Sequence, residues 1–157
     1  MKLSPQVRFT LIYTIALLYI LLFTYAAVSK LLEFENFQVQ LGQSPLLSPI
    51  AEHIAWMVPV AEIAIAILLM ISRTRTMALF AAYTLMVMFT AYIYIILNFS
   101  SYIPCSCGGI LEKLGWTEHL LFNSLFVVLA VLALLLLSNP PQPKTTETKN
   151  NPLHQNP

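Results

Sequence analysis

A chain of 157 residues that is 58% hydrophobic and only 10% charged, with a net charge of +1 and a mean hydropathy of +0.75, is not a soluble domain. In such domains about a quarter of the residues carry charge. The balance leaves no basic surface for nucleic acid, and the length has room for one small bundle but no separate soluble domain.

Four apolar runs reach the roughly 18 residues that a bilayer crossing needs: 9–28, 54–71, 77–97 and 120–137. No strand-type alternation accompanies them, which argues against a barrel. The expected fold is therefore all-α, a four-helix transmembrane domain over residues 1–137. The first run has a basic start, and Ala27-Val28-Ser29 is a small-x-small pattern of the kind signal peptidase cuts. Its length exceeds a usual signal core, so a retained helix is expected. Past it, Leu31, Leu32, Phe34, Phe37 and Leu41 recur at loose helical spacing, with Lys30, Glu33, Glu35 and Gln38 between them. This pattern predicts an extension of the first helix lying at the membrane interface, ended by Gly42 and followed by a loop marked by Pro45 and Pro49.

The second run carries Pro59 and, three residues on, Glu62, the only acid inside a span. The short turn 72–76 makes the second and third runs an antiparallel hairpin, so the layout is two hairpins with long loops at the opposite face. Tyr83, Tyr92 and Tyr94 in the third run are expected to anchor and pack; nothing in the sequence supports a quinone pocket among them. Next comes Cys105-Ser106-Cys107-Gly108-Gly109, which holds the chain's two cysteines. A short helical stretch, 110–114, follows, with Gly115 as its cap. Thr117 is the expected N-cap of the last helix, with Glu118 in its first turn. Asn123 and Ser124 in the last run suit hydrogen bonds between helices. The remainder, 138–157, is rich in Pro, Lys, Thr and Asn and is expected to be a disordered cytoplasmic tail.

Basic residues orient the chain. Lys2, Arg8, Arg73, Arg75, Lys144 and Lys149 fall on one side, Lys30 and Lys113 on the other, where Glu33, Glu35, Glu52, Glu112 and Glu118 also lie. Both termini are thus expected in the cytoplasm of an inner-membrane protein. The Cys-x-Cys loop is expected outside, where disulfides persist.

The cysteines are the strongest candidates for chemistry. A disulfide within Cys-x-Cys closes a small strained ring, which makes it labile and adds little stability through loop entropy. A redox couple explains the pair better than a structural bond. A helix starting near Gly109 would place Cys107 at its positive end and favour thiolate. The alternative is a soft-metal clamp: Cys105 and Cys107 with His53 and His119, both at the loop-side mouths of helices, make a Cys₂His₂ set for zinc or copper, without zinc-finger spacing. The six methionines form no soft-metal track, which weighs against copper transport. Lone thiols without a function, and interfacial, hydrogen-bonded histidines, are the plainer readings. Glu62 is either a proton handler for thiol chemistry, a counter-charge to Lys30, or a packing hydrogen bonder. Counted along the helices, Lys30 and Glu62 differ by about 12 Å in depth. A protonated or water-reached Glu62 is therefore expected rather than a tight ion pair.

Ser29-Lys30-Leu31, Pro59-Val60-Ala61-Glu62, Cys105-Ser106-Cys107-Gly108-Gly109 and Trp116-Thr117-x-His119 together resemble the MauE family, methylamine utilisation membrane proteins within the larger DoxX-like group. The likeness covers roughly residues 8–137, and the Cys-x-Cys-Gly loop is its most specific part. It implies a four-helix membrane protein tied to thiol–disulfide chemistry beside a thioredoxin-like partner, matured clients including a disulfide-rich dehydrogenase subunit. Cys105 and Cys107 would be the redox pair, with Glu62, Lys30 and His119 in support and no cofactor evident. The layout is also similar to vitamin K epoxide reductase and DsbB-type oxidases. Those use two cysteine pairs where this chain has one, so a partner supplies the second pair or no quinone is involved. The rival reading is a non-enzymatic metal-binding or assembly subunit of a membrane complex.

Overall fold

The computed structural model describes residues 4–100 and 115–138, and among these all regular structure is helical. Helix α1 (Pro5–Leu32) opens on Ser4, whose hydroxyl accepts from the Val7 N–H, with Pro5 in the first turn. A break at Glu33 separates it from α2 (Phe34–Gln43). A 3₁₀ turn, Ser48–Ile50, leads into α3 (Ala51–Met70); then come α4 (Arg75–Phe99) and α5 (Trp116–Ser138). Four of these, counting the 3₁₀ turn with α3, are long and apolar enough to cross a membrane. The chain is a helical membrane bundle.

The helices overrun most of the apolar runs. Hydropathy marks the stretch that sits in hydrocarbon, whereas backbone hydrogen bonding continues through polar ends such as Arg8 and Lys30. Two boundary expectations change. Gly42 does not end α2, which continues to Gln43 and stops at Ser44, where the backbone turns extended. A glycine costs a helix about 1 kcal/mol, and here Phe37 and Leu41 pay it back by packing against Ala51 and Ala55 of α3. Thr117 is not an N-cap: the His119 N–H already donates to the Gly115 carbonyl at 2.9 Å, so α5 starts directly after Gly115, with Glu118 in its first turn.

The closest packing is α1 against α3 and α4 against α5, and each pair is joined by a long connection at the same end, here called the loop face. The four-residue turn 71–74 joins α3 to α4 at the other end, and α1 against α5 closes the ring. Both hairpins expected from sequence are present. The 71–74 turn is tied down by the Thr74 hydroxyl donating to the Leu68 carbonyl at 2.8 Å. Arg75 adds to it, its Nε reaching the Leu69 carbonyl while its guanidinium lies 4.1 Å over the Tyr13 ring. A cation at the negative end of α3 is favourable.

The core runs through the middle of the ring. Ile15, Tyr19 and Phe23 meet Ile65 and Leu69, Leu79 and Met86, and Phe126. Ala78, Ala82, Ala130 and Ala133 are completely buried and let the backbones approach. The Tyr19 hydroxyl donates to the Phe126 carbonyl at 2.7 Å, which fixes the register of α1 on α5. Only 22–33% of each span is buried, and the outward residues are apolar, among them Leu17, Leu21, Phe80 and Leu121, as lipid contact requires.

Candidate functional site

At the loop end of the bundle the chain buries charge. Glu62 sits in the middle of α3 and is 1% exposed. Three residues before it, Pro59 removes the N–H that the Ala55 carbonyl would receive. Lys30 stands near the end of α1. Its Nζ donates to Glu62 Oε1 at 2.8 Å and to the Ala26 carbonyl at 3.3 Å. The rings of Phe37 from α2 and Phe89 from α4 each lie 5.9 Å from the ammonium. The lysine side chain is 24% exposed, so the ammonium caps a carboxylate that solvent does not otherwise reach.

This overturns the expected depth mismatch, and the reason is geometric. A helical side chain leans toward its own N-terminus. Lys30 therefore runs back down α1 to Ala26, one turn into the bundle, and Glu62 leans outward along the antiparallel α3. The two lean toward each other. Nor does the end of α1 mark the level of the mouth of α3, since the first turns of α3 rise beside α2, with Ala51 and Ala55 packed on Phe37 and Leu41.

The half-buried His119 lies in the first turn of α5, at the same end of the bundle as Lys30. One turn further along α5 comes Asn123, 4% exposed. Among the described residues its side-chain amide nitrogen has no hydrogen-bond partner, and neither has Glu62 Oε2. The expectation of hydrogen bonds between helices from Asn123 and Ser124 is not met. Ser124 donates to Leu120 in its own helix at 2.8 Å, a bond always within reach of a helical hydroxyl.

His53 lies in the first turn of α3 and is exposed, about 13 Å along the helix from Glu62. Among the described residues no three metal-ligating side chains cluster. Cys105 and Cys107 lie outside the described residues, as do Lys113, Glu112, the expected 110–114 helix and residues 139–157. Tyr83 packs on the core, while Tyr94 is exposed about 16 Å away along α4, too far for one ring-sized pocket.

The structure thus brings together two residues picked from the sequence, Lys30 and Glu62, with His119 at the same end of the bundle, and leaves His53 apart. Phe37 and Phe89 complete the cluster around the ammonium. No spacing rule marks Phe89 as a lysine neighbour; Asn123 was visible as the one amide in the last span.

A family model described as methylamine utilisation protein MauE matches residues 8–136. No curated protein and no solved structure matches the chain.

Proposed function

The chain belongs to the MauE family, linked to methylamine utilisation, and from that premise we propose that it is a membrane thiol–disulfide redox protein working through Cys105 and Cys107. In its reduced form one thiolate attacks a disulfide of a thioredoxin-fold partner. A mixed disulfide forms and a partner thiol leaves; the second cysteine then displaces the other partner sulfur. Two electrons pass to the partner and the Cys105–Cys107 disulfide closes. The same steps reversed oxidise the partner, and the relative reduction potentials set the direction. Through that partner the chain supports disulfide maturation of exported proteins, as the family's link to methylamine dehydrogenase implies.

One observation carries this reading. The chain's only two cysteines occupy a Cys-x-Cys-Gly motif in the connection between α4 and α5, and that connection ends four residues before His119. The Lys30–Glu62 pair and His119 stand at the same end of the bundle. A cation at the mouth of the bundle favours a thiolate that comes near it. Lys30 and Glu62 are the supporting pair, and His119 is the base within reach of the loop. The excess of basic residues at the 71–74 turn and the two termini favours a cytoplasmic location for that face, with the Cys-x-Cys loop on the extracytoplasmic side of the inner membrane.

Trapping tests the proposal. Cys105→Ser and Cys107→Ser should give different covalent adducts in cells: the variant that keeps the attacking thiol accumulates a mixed disulfide, and the other does not. If neither variant traps a thiol protein and both keep full activity in disulfide maturation, the redox reading fails.

A further inference from the structure

We propose that the end of the bundle opposite the loop face carries a phospholipid site, in which Arg75 binds the phosphate of an anionic lipid and an acyl chain lies along Tyr13, Leu17 and Leu21 of α1. The Arg75 guanidinium is held from two sides. Its Nε donates to the Leu69 carbonyl at the end of α3 at 3.4 Å, and its Cζ lies 4.1 Å from the centre of the Tyr13 ring on α1. A guanidinium has five N–H donors, of which Nε supplies one. The four on the two Nη nitrogens meet no acceptor among the described residues. A fork fixed in this way, with N–H groups left free, suits the paired oxygens of a phosphate, which arginine binds bidentately.

No carboxylate among the described residues competes for that fork. Glu33, Glu35, Glu52 and Glu118 lie at the loop end, and Glu62 is taken by Lys30. Arg8, near the start of α1, and Arg73, exposed in the 71–74 turn, also have no carboxylate partner there, and the Arg8 Nε is buried without an acceptor. Three cations at one end of the bundle, with no anion beside them, favour a headgroup of net negative charge over a zwitterionic one.

The apolar part of the ligand has its place below. The rings of Phe9 and Tyr13 lie 4.2 Å apart on the outer surface of α1. Tyr13, Leu17 and Leu21 follow at intervals of four, so they share one face, and they are 40%, 55% and 59% exposed. A helical side chain leans toward its own N-terminus, which brings the Tyr13 ring out toward Arg75. Leu17 and Leu21 stand about 6 and 12 Å deeper in the bilayer. A phosphate on Arg75 therefore has an apolar strip running inward from it. The tyrosine ring between the two suits the border where hydrocarbon gives way to headgroups. The site owes nothing to the cysteines, and its test reads no thiol chemistry.

Native mass spectrometry of the full chain in detergent, titrated with phosphatidylglycerol or with phosphatidylcholine of the same acyl chains, counts bound lipid. Phosphatidylglycerol should be retained at a several-fold lower concentration than phosphatidylcholine. Arg75→Gln should raise the phosphatidylglycerol concentration needed several-fold, whereas Arg73→Gln, which removes the same charge two residues away, should raise it about twofold at most. Tyr13→Leu keeps every charge but removes the ring that holds the guanidinium, and should weaken retention several-fold; it decides the matter if Arg75→Gln fails to fold. Inorganic phosphate in excess should leave the lipid adduct intact. Equal retention of the two lipids overturns the proposal. So do equal losses in Arg73→Gln and Arg75→Gln, which would mean diffuse charge only, an unaltered Tyr13→Leu protein, or displacement of the lipid by inorganic phosphate.

Discussion

Removing the partners of the buried ion pair one at a time should give unequal results. The two ends of the 2.8 Å contact differ in access to water: the lysine side chain is 24% exposed and the carboxylate 1%. In Lys30→Met the carboxyl is left in the bundle without its cation, the situation in which loss of one partner costs about 3–5 kcal/mol. In Glu62→Leu the ammonium is left behind, but it sits at the open end and turns to water. Losing the contact then resembles losing a surface pair, about 1 kcal/mol or less. For a chain of this size about 3 °C of Tm corresponds to each kcal/mol, so Lys30→Met should fall by roughly 10 °C and Glu62→Leu by roughly 3 °C. The double variant Lys30→Met/Glu62→Leu carries no buried charge and should recover to within about 1 kcal/mol of the parent, since an apolar pair often replaces a buried ion pair at no net cost. Thermal unfolding in lipid nanodiscs, followed by circular dichroism, gives all four values. Equal losses in the two single variants, or a double variant whose loss is their sum, would refute the reasoning.

Tyr19→Phe removes the hydrogen bond to the Phe126 carbonyl and should lower stability by about 1 kcal/mol, measured by the same melts. Ala130, completely buried between helices, has no room for growth: Ala130→Leu should cost about 1–3 kcal/mol, whereas the same change at exposed Ala81 should be near neutral. An impermeant thiol reagent should label Cys105 or Cys107 in intact cells after mild reduction; labelling only in broken cells contradicts the proposed orientation. Elemental analysis of the purified chain should find no stoichiometric zinc or copper. Metal that is lost both in His119→Ala and on cysteine replacement would favour a metal-binding subunit over a redox pair.

The four crossings were legible because a bilayer sets a simple length requirement, and the two-hairpin layout because a four-residue turn permits nothing else. The amphipathic stripe of Phe34, Phe37 and Leu41 announces helix beyond residue 32, but as a continuation of α1, where Glu33 in fact breaks it, and its end differs too: a single glycine is a weaker signal than the packing of its neighbours. The Lys30–Glu62 contact was misjudged for a different reason. Counting residues along two helices measures the depth of backbones, and both side chains lean off that line toward each other. Ser124 was misassigned because a hydroxyl on a helix always has a carbonyl of its own within reach, a local alternative that composition does not reveal. Asn123 was noticed as polar, but that it lacks a partner depends on which side chains surround it, and no spacing rule encodes that.

The ion pair also bears on how the helices choose their alignment. Ile, Ala and Leu, with Tyr19 and Phe23, make up most of the packed faces of α1 and α3, and apolar faces give little preference for one alignment over another, particularly in lipid, which rewards no burial of apolar surface. One cation on α1 and one anion on α3 end that freedom: a slip of a single turn separates them by about 5.4 Å and leaves the buried Glu62 without its cation in an apolar medium. Lys30 and Glu62 therefore act as a key and its notch, fixing one alignment out of several that hydrophobic packing alone would leave nearly equal. That alignment, in turn, is what brings α2 over the first turns of α3.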